Sequence, residues 1–242
     1  MCWTGYKLDS NNSCTVAVKS ANDGSNLGIN LNGVVDWSTQ FSFVDLGKQA
    51  RSWIHQHIDN LNDLYIWSLS ENISLRSDRY PAQINYQRQL VTLMLRDVQQ
   101  RWQNGTYHVF YDGEGVIEFG FDSKIIEQKE KYKMKINVSL SSVRDNGVFM
   151  KLKKTNPKNP LRNIRIVMDG FQDVYTQIPF HPLFLERLAV FKTIRFMPWN
   201  KEDGVVSWAD RVTPTSYSEG KYWLFTIVYY MLLLVNLVFE SC

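Results

Sequence analysis

Apolar and polar positions alternate through the middle of the chain. Tyr132, Met134, Ile136, Val138 and Leu140 alternate with Lys133, Lys135, Asn137 and Ser139, a period of two that predicts a strand with one buried and one wet face. After the turn signal Asp145-Asn146-Gly147, Val148, Met150 and Leu152 alternate with Phe149, Lys151 and Lys153. Val91, Leu93 and Leu95 form an apolar face with Thr92 and Arg96 opposite. Tyr107, Val109 and Tyr111 lead into Asp112-Gly113-Glu114-Gly115, a turn of the kind that closes a hairpin, and Ile117, Phe119 and Phe121 follow it. Short one-sided strands of this kind predict an antiparallel, jelly-roll-like β-sandwich over residues 27–155. Residues 1–26, rich in Ser, Asn, Asp and Gly, are expected to be loosely ordered.

The pattern changes after Thr155-Asn156-Pro157-Lys158-Asn159-Pro160, which reads as a junction. Asn163–Met168 is a near-continuous apolar strand. Pro182, following His181, starts a helix over Leu183–Phe191 whose Leu185, Leu188 and Ala189 share a face, and Thr193–Met197 is the next strand. Strand, helix and strand in this order predict a right-handed crossover opening a parallel β/α region over 156–220. If Ile164, Ile166 and Met168 face the helices, Arg165 and Arg195 point together to the other side. Buried there, they require carboxylate partners; on an uncovered sheet they face solvent, and the pattern fits both. A parallel sheet needs several such units, and only one and a half are present, so the region is expected to be incomplete.

The last stretch, 221–242, is an apolar tail. Tyr222–Phe239 has about the minimum length for crossing a bilayer, with Tyr222 and Trp223 suited to an interface. Two readings stand. The tail is a transmembrane helix, making the membrane a partner through 222–239, or it is translated intron, since Gly220-Lys221-Tyr222 can be encoded across a splice-donor sequence. Met1–Asp9 shows no signal peptide. Four N-x-S/T glycosylation candidates, at Asn11, Asn72, Asn104 and Asn137, favour secretion.

A length of 242 residues suits one or two domains. An aromatic content of 14%, with eight Trp and twelve Tyr, fits a β-rich extracellular or glycan-handling protein. The net charge of +3 is small and dispersed, which excludes a nucleic-acid partner. Of three cysteines, Cys2 and Cys14 could close a short loop; three free thiols fit as well. No nucleophile elbow, phosphate loop or dinucleotide fingerprint occurs, so no cofactor is expected. His55 and His57 would share a strand face, but two ligands are too few for structural zinc, and no metal is expected.

Several stretches taken together resemble one family. They are Gly33-Val34-Val35-Asp36-Trp37-Ser38-Thr39-Gln40 with Phe43-Val44-Asp45 and Arg51-Ser52-Trp53-Ile54; Leu93-Met94-Leu95-Arg96-Asp97 with Asn104-Gly105-Thr106-Tyr107 and Tyr111-Asp112-Gly113-Glu114-Gly115; Pro160-Leu161-Arg162-Asn163-Ile164-Arg165; Phe180-His181-Pro182; and Arg195-Phe196-Met197 with Trp199, Trp208 and Asp210-Arg211. In order and spacing, from Leu27 to Gly220, they resemble large secreted proteins described as cellulose-binding or glycoside-hydrolase-like, mostly bacterial with some invertebrate members. The resemblance implies a sandwich like those of carbohydrate-binding modules, followed by a (β/α)8 barrel that this chain enters for about two strands. Asp169 and Pro198 depart from the family pattern at the ends of those strands. Glycoside hydrolysis uses two carboxylates, which the resemblance places on later strands, so no catalytic residue is assigned here.

Two ligand-binding groups follow. Trp37 and Trp53 flank the opening motif beside Asp36 and Arg51, where rings stack on sugar faces and charges bond hydroxyls; a packed segment with an Asp36–Arg51 ion pair explains the same residues. Arg195 in the second strand, with Trp199, Trp208, Asp210 and Arg211 after it on the side where barrel substrates sit, forms the other group. The expectation is a fragment of a secreted carbohydrate-active protein that binds a polysaccharide or glycan without catalysis. Its rival is a single-pass membrane-anchored binding or structural module.

Overall fold

The computed structural model describes residues 6–8, 14–16, 27–57, 73–84, 88–98, 101–142, 146–199 and 216–217. These residues are mainly β. One sheet orders its strands as β4 (Ile54–His57), β5 (Arg88–Met94), β10 (Val148–Thr155) and β7 (Gly115–Phe121). The other orders them as β11 (Arg162–Met168), β6 (Gly105–Asp112), β9 (Lys133–Val138) and β8 (Ser123–Glu127). Both are antiparallel throughout. Within 1–26, β1 (Tyr6–Leu8) and β2 (Cys14–Val16) form an antiparallel pair where loose order is expected.

The alternation read from the sequence becomes the core. On β9, Met134, Ile136 and Val138 are buried, and they join Tyr107 and Val109 of β6, Ile164 and Ile166 of β11, and Leu90, Met94, Met150, Leu152 and Ile117 of the other sheet in one cluster. Each such side chain stabilises the fold by roughly 1.5–3 kcal/mol. The strand is shorter than the expected Tyr132–Leu140: it begins only after Tyr132, whose φ of 67° takes it out of extended geometry, and ends at Val138.

The turn at 112–115 does not close a hairpin: β6 and β7, which flank it, belong to different sheets. It docks instead on the stretch after β10. The Glu114 N–H donates to the Asn159 carbonyl and the Asn156 N–H to the Glu114 carbonyl, both at 2.8 Å. Gly113 has φ 85°, and a Cβ there would lie 2.1 Å from the Pro160 carbonyl oxygen, so the crossing requires glycine.

The expected strand–helix–strand unit also forms differently. Its first strand, β11, pairs antiparallel with β6 and belongs to the second sheet. Its one-sided pattern, with Ile164 and Ile166 inward and Arg165 outward, suits a sheet with one wet face. The other edge of β11 is covered by a short antiparallel bridge between Asp45 and Val167, with the Met168 N–H donating to the Val44 carbonyl at 3.5 Å, and by side chains. Asp45 Oδ1 accepts the N–H groups of Ile166 and Gly47 at 2.9 Å each. Tyr80 Oη accepts the Ile164 N–H at 2.7 Å and donates to the Ile164 carbonyl at 3.1 Å. An edge capped in this way cannot template another strand.

The second strand, β12 (Thr193–Arg195), pairs in parallel with β3 (Gly28–Asn30), from before the sheet pair. Between β11 and β12 in sequence runs α1 (Pro182–Leu188), with Pro182 in its first turn as the sequence predicts; His181 is its N-cap, and the helix ends at Leu188 rather than Phe191. Phe184, Leu185 and Leu188 of α1 pack with Leu31, Val34, Phe43, Phe180 and Trp199 in a second core. The parallel pair and its helix are therefore built from segments on either side of the two four-stranded sheets, whose strands all lie between β3 and α1 in sequence.

His181 joins the two cores. Its ring lies 5.8 Å from Trp102 and 5.9 Å from Phe171. Burial, and then the Arg187 charge, lower its pKa from 6.5 to about 4. The unfolded chain thus binds a proton at pH 5 that the native one refuses, so His181's contribution is complete above pH 6.5 and is lost as the pH falls toward 4. Between pH 7 and pH 5 the native protein should lose about 2 kcal/mol more than a His181→Asn variant, which keeps a capping acceptor. Urea unfolding at both pH values measures this, and equal losses would contradict it. The subtraction cancels Asp36 and Asp45, whose carboxyl pKa values burial raises and which act with the opposite sign.

Candidate functional site

The outer face of the second sheet carries a row of rings. On β6, Tyr107 and Val109 point into the core, so Thr106, His108 and Phe110 point out. Phe110 stands opposite Lys133 on β9 and Arg165 on β11, and His108 opposite Lys135. After β11 the chain turns back over this face through hydrogen bonds from Val174 and Tyr175 N–H to the Phe171 carbonyl, at 3.1 and 2.9 Å. That return lays the Tyr175 ring against Phe110, 5.6 Å between centroids and 14° between planes. His108 continues the row at 6.4 Å and 14°. The Arg165 guanidinium sits 5.2 Å over Tyr175.

Beside the row opens a cleft of about 210 Å³, lined by His108, Phe110, Glu127, Lys133, Lys135, Gln172 and Asp173 among others. Its polar groups are held in place. His108 Nε2 is 2.6 Å from Asp169 Oδ1, Lys133 Nζ donates to Glu130 at 2.9 Å, and Lys135 Nζ lies 3.4 Å from Glu127. The Lys133 contact lowers the Glu130 pKa, keeping that carboxyl an ionised acceptor. Flat apolar faces beside fixed donors and acceptors can take a polyhydroxylated ring by stacking and hydroxyl bonding.

The residues predicted from sequence lie elsewhere. Asp36 and Arg51 form the ion pair that the packed alternative describes, Nη2 to Oδ2 at 2.6 Å, with Asp36 buried. Trp37 is 58% exposed, whereas Trp53 is 6% exposed. Trp53 is stacked under Tyr217 at 4.3 Å and lies near Tyr80 at 6.5 Å. Trp53 and Trp37 therefore form no common platform. Arg195 is solvent-facing, its Nη2 3.0 Å from the Met197 sulfur, and it sits in a different sheet from Arg165. Trp199 is buried and donates its indole N–H to the Asn32 carbonyl at 2.7 Å, a structural role in the second core.

Trp208, Asp210, Arg211, Asn11, Asn72 and the apolar stretch 222–239 lie outside the described residues. Asn104 is exposed, its Oδ1 accepting the Leu140 N–H at 2.8 Å, and Asn137 is on the outward face of β9 opposite Thr106. Among the described residues no helix is long and apolar enough to cross a membrane.

Sequence reasoning missed His108, Phe110, Arg165 and Tyr175. One signal was available: the alternation that buries Tyr107, Val109 and Tyr111 leaves Phe110 on the wet face, where a large ring is informative. Tyr175 gave none, because a loop residue's position follows from the chain's path.

No protein family, curated protein or solved structure matches the chain.

Proposed function

We propose that this chain is a glycan-binding part of a secreted carbohydrate-active protein, binding a polysaccharide through the ring row His108–Phe110–Tyr175 and its cleft. The stacked Phe110–Tyr175 pair, capped by Arg165 and bordered by a polar cleft that Phe110 and His108 line, carries the reading. In this reading the two antiparallel sheets are a β-sandwich of the carbohydrate-binding kind. The parallel pair β3–β12 with α1 is the start of a β/α barrel into which that sandwich is inserted.

Binding rather than hydrolysis fits the cleft's chemistry. A glycosidase needs one carboxyl held protonated as general acid, while Glu127 and Glu130 are each paired with a lysine, which leaves Asp173 as the further carboxyl among the described lining residues where hydrolysis uses two. Secretion accords with accessible sequons at Asn104 and Asn137. The full chain should therefore retain one or more members of a panel of β-glucans and other polysaccharides in affinity electrophoresis. Phe110→Ala and Tyr175→Ala should each weaken retention by about tenfold or more, the loss of one stacking surface, with circular dichroism melting confirming the fold. Retention of no polysaccharide, or undiminished retention by both variants, defeats the proposal. Hydrolysis of the panel would defeat its non-catalytic part.

A further inference from the structure

A second cleft, of about 90 Å³, lies where α1 meets the sheet pair, and its lining is chemically one-sided. Arg101 and Arg187, both exposed, line it with Gln40 and His181, against an apolar wall that includes Phe41 and Trp102. None of the described residues lining it is acidic. Its polar groups are mostly committed to presenting donors. Gln40 Oε1 already accepts the Asn32 N–H at 2.8 Å, which leaves the amide NH2. His181 Nδ1 accepts the Leu183 N–H at 3.2 Å, so the neutral ring carries its proton on Nε2. The Trp102 indole N–H is taken by Tyr107 Oη at 2.6 Å, so Trp102 offers the cleft apolar surface. Its ring meets Phe41 edge to face at 4.1 Å, fixing the wall's shape.

Among the described residues lining the cleft, two guanidiniums, an amide NH2 and an imidazole N–H are joined by no carboxylate. An anion with several acceptor oxygens completes such a set, and a planar carboxylate matches a guanidinium fork in two parallel hydrogen bonds. The aromatic wall favours a carboxylate attached to a compact body with an apolar face. We propose that this cleft is a carboxylate-binding site suited to a hexuronate. The ligand's carboxylate would sit between Arg101 and Arg187, and its ring would rest against Phe41 and Trp102. The site is separate from the ring row on the outer sheet face and does not depend on that row binding glycan.

Isothermal titration of the full chain with sodium glucuronate, with glucose as the neutral counterpart at constant ionic strength, tests this. Saturable glucuronate binding is expected, with glucose at least about tenfold weaker. Arg101→Gln and Arg187→Gln should each lower glucuronate affinity by about tenfold; both residues are exposed, and circular dichroism checks that the variants fold. Lys124→Gln, at an exposed cation on β8 that lines neither cleft, should leave glucuronate binding unchanged. Acetate distinguishes the source of affinity: binding as tight as glucuronate's sustains a bare carboxylate site, and weaker binding sustains one that also reads the sugar ring. The proposal is overturned if glucuronate does not bind, if glucose binds equally, if neither arginine variant loses affinity, or if Lys124→Gln lowers affinity as much as the arginine variants do.

Discussion

Tyr217→Ala should lower the unfolding free energy by about 4 kcal/mol, the usual cost of removing a buried aromatic side chain. Tyr217 is 4% exposed and stacks on Trp53 at 4.3 Å, with Tyr80 edge-on at 5.3 Å. Its N–H donates to the Asp78 carbonyl at 3.0 Å. Its hydroxyl donates to Thr92 Oγ1, which in turn donates to the Arg51 carbonyl at 2.6 Å. Tyr217 thus covers Trp53 with its ring, ties residues 51 and 92 through its hydroxyl, and holds residue 78 through its backbone N–H. The loss is a large part of a total stability of about 5–15 kcal/mol. Tyr217→Phe separates the contributions: it keeps the stack and should cost about 1 kcal/mol. Urea unfolding followed by tryptophan fluorescence measures both. A Tyr217→Ala midpoint equal to wild type would show that the aromatic cluster does not depend on this residue.

Asp45→Ala should cost about 3 kcal/mol for a different reason. The carboxylate is buried, 7% exposed, and its Oδ1 serves the Ile166 and Gly47 N–H groups together. Without it, both donors lie where water cannot replace the acceptor, and an unsatisfied buried group costs its full desolvation. Lys48, 8% exposed with its Nζ donating to the Ser216 carbonyl at 3.1 Å, also loses a nearby opposite charge. Asp45→Asn keeps an acceptor oxygen and loses the charge, so it should fall between wild type and Asp45→Ala. Hydrogen exchange supplies the local readout, since the Ile166 amide should lose protection in Asp45→Ala before the centre of β9 does. Unchanged protection at Ile166 would contradict the edge-capping role.

The strands themselves were legible because alternation is a local property. Each residue's side relative to the core is set by the pleat, so Met134, Ile136 and Val138 announced a buried face without reference to any partner. The start of α1 was legible for the same reason, since Pro182 and the His181 cap act within one turn. Where both faces are covered, alternation misleads. Val91 and Leu93 read as the core face, yet they form a small outer cluster with Phe149, while Leu90 and Met94 enter the main core.

Strand partners were not legible. Asp112-Gly113-Glu114-Gly115 has the residues of a hairpin turn, and its glycines are indeed required, but by the approach of Pro160 and Lys154 rather than by pairing of β6 with β7. Asn163–Met168 and Thr193–Met197 look like neighbours in a parallel sheet because they are neighbours in sequence. The first instead completes the sheet of β6, and the second reaches back to Gly28–Asn30.

The same division runs through the candidate site. Residue types told that the chain is rich in rings and free of catalytic signatures. They could not tell that Tyr217 would cover Trp53, or that Tyr175 would cross to Phe110. A period of two specifies which side of a strand is apolar, through the geometry of successive residues alone. Which edges pair and which rings meet depends on contacts between residues far apart in the chain, selected by the packing of the whole and carrying no local mark. By itself, then, the sequence determined β6, β9, β10 and β11 with their buried faces, and the helix start. Only the tertiary structure decided their order, the covering of Trp53, and the opening of the Phe110–Tyr175 row beside a cleft.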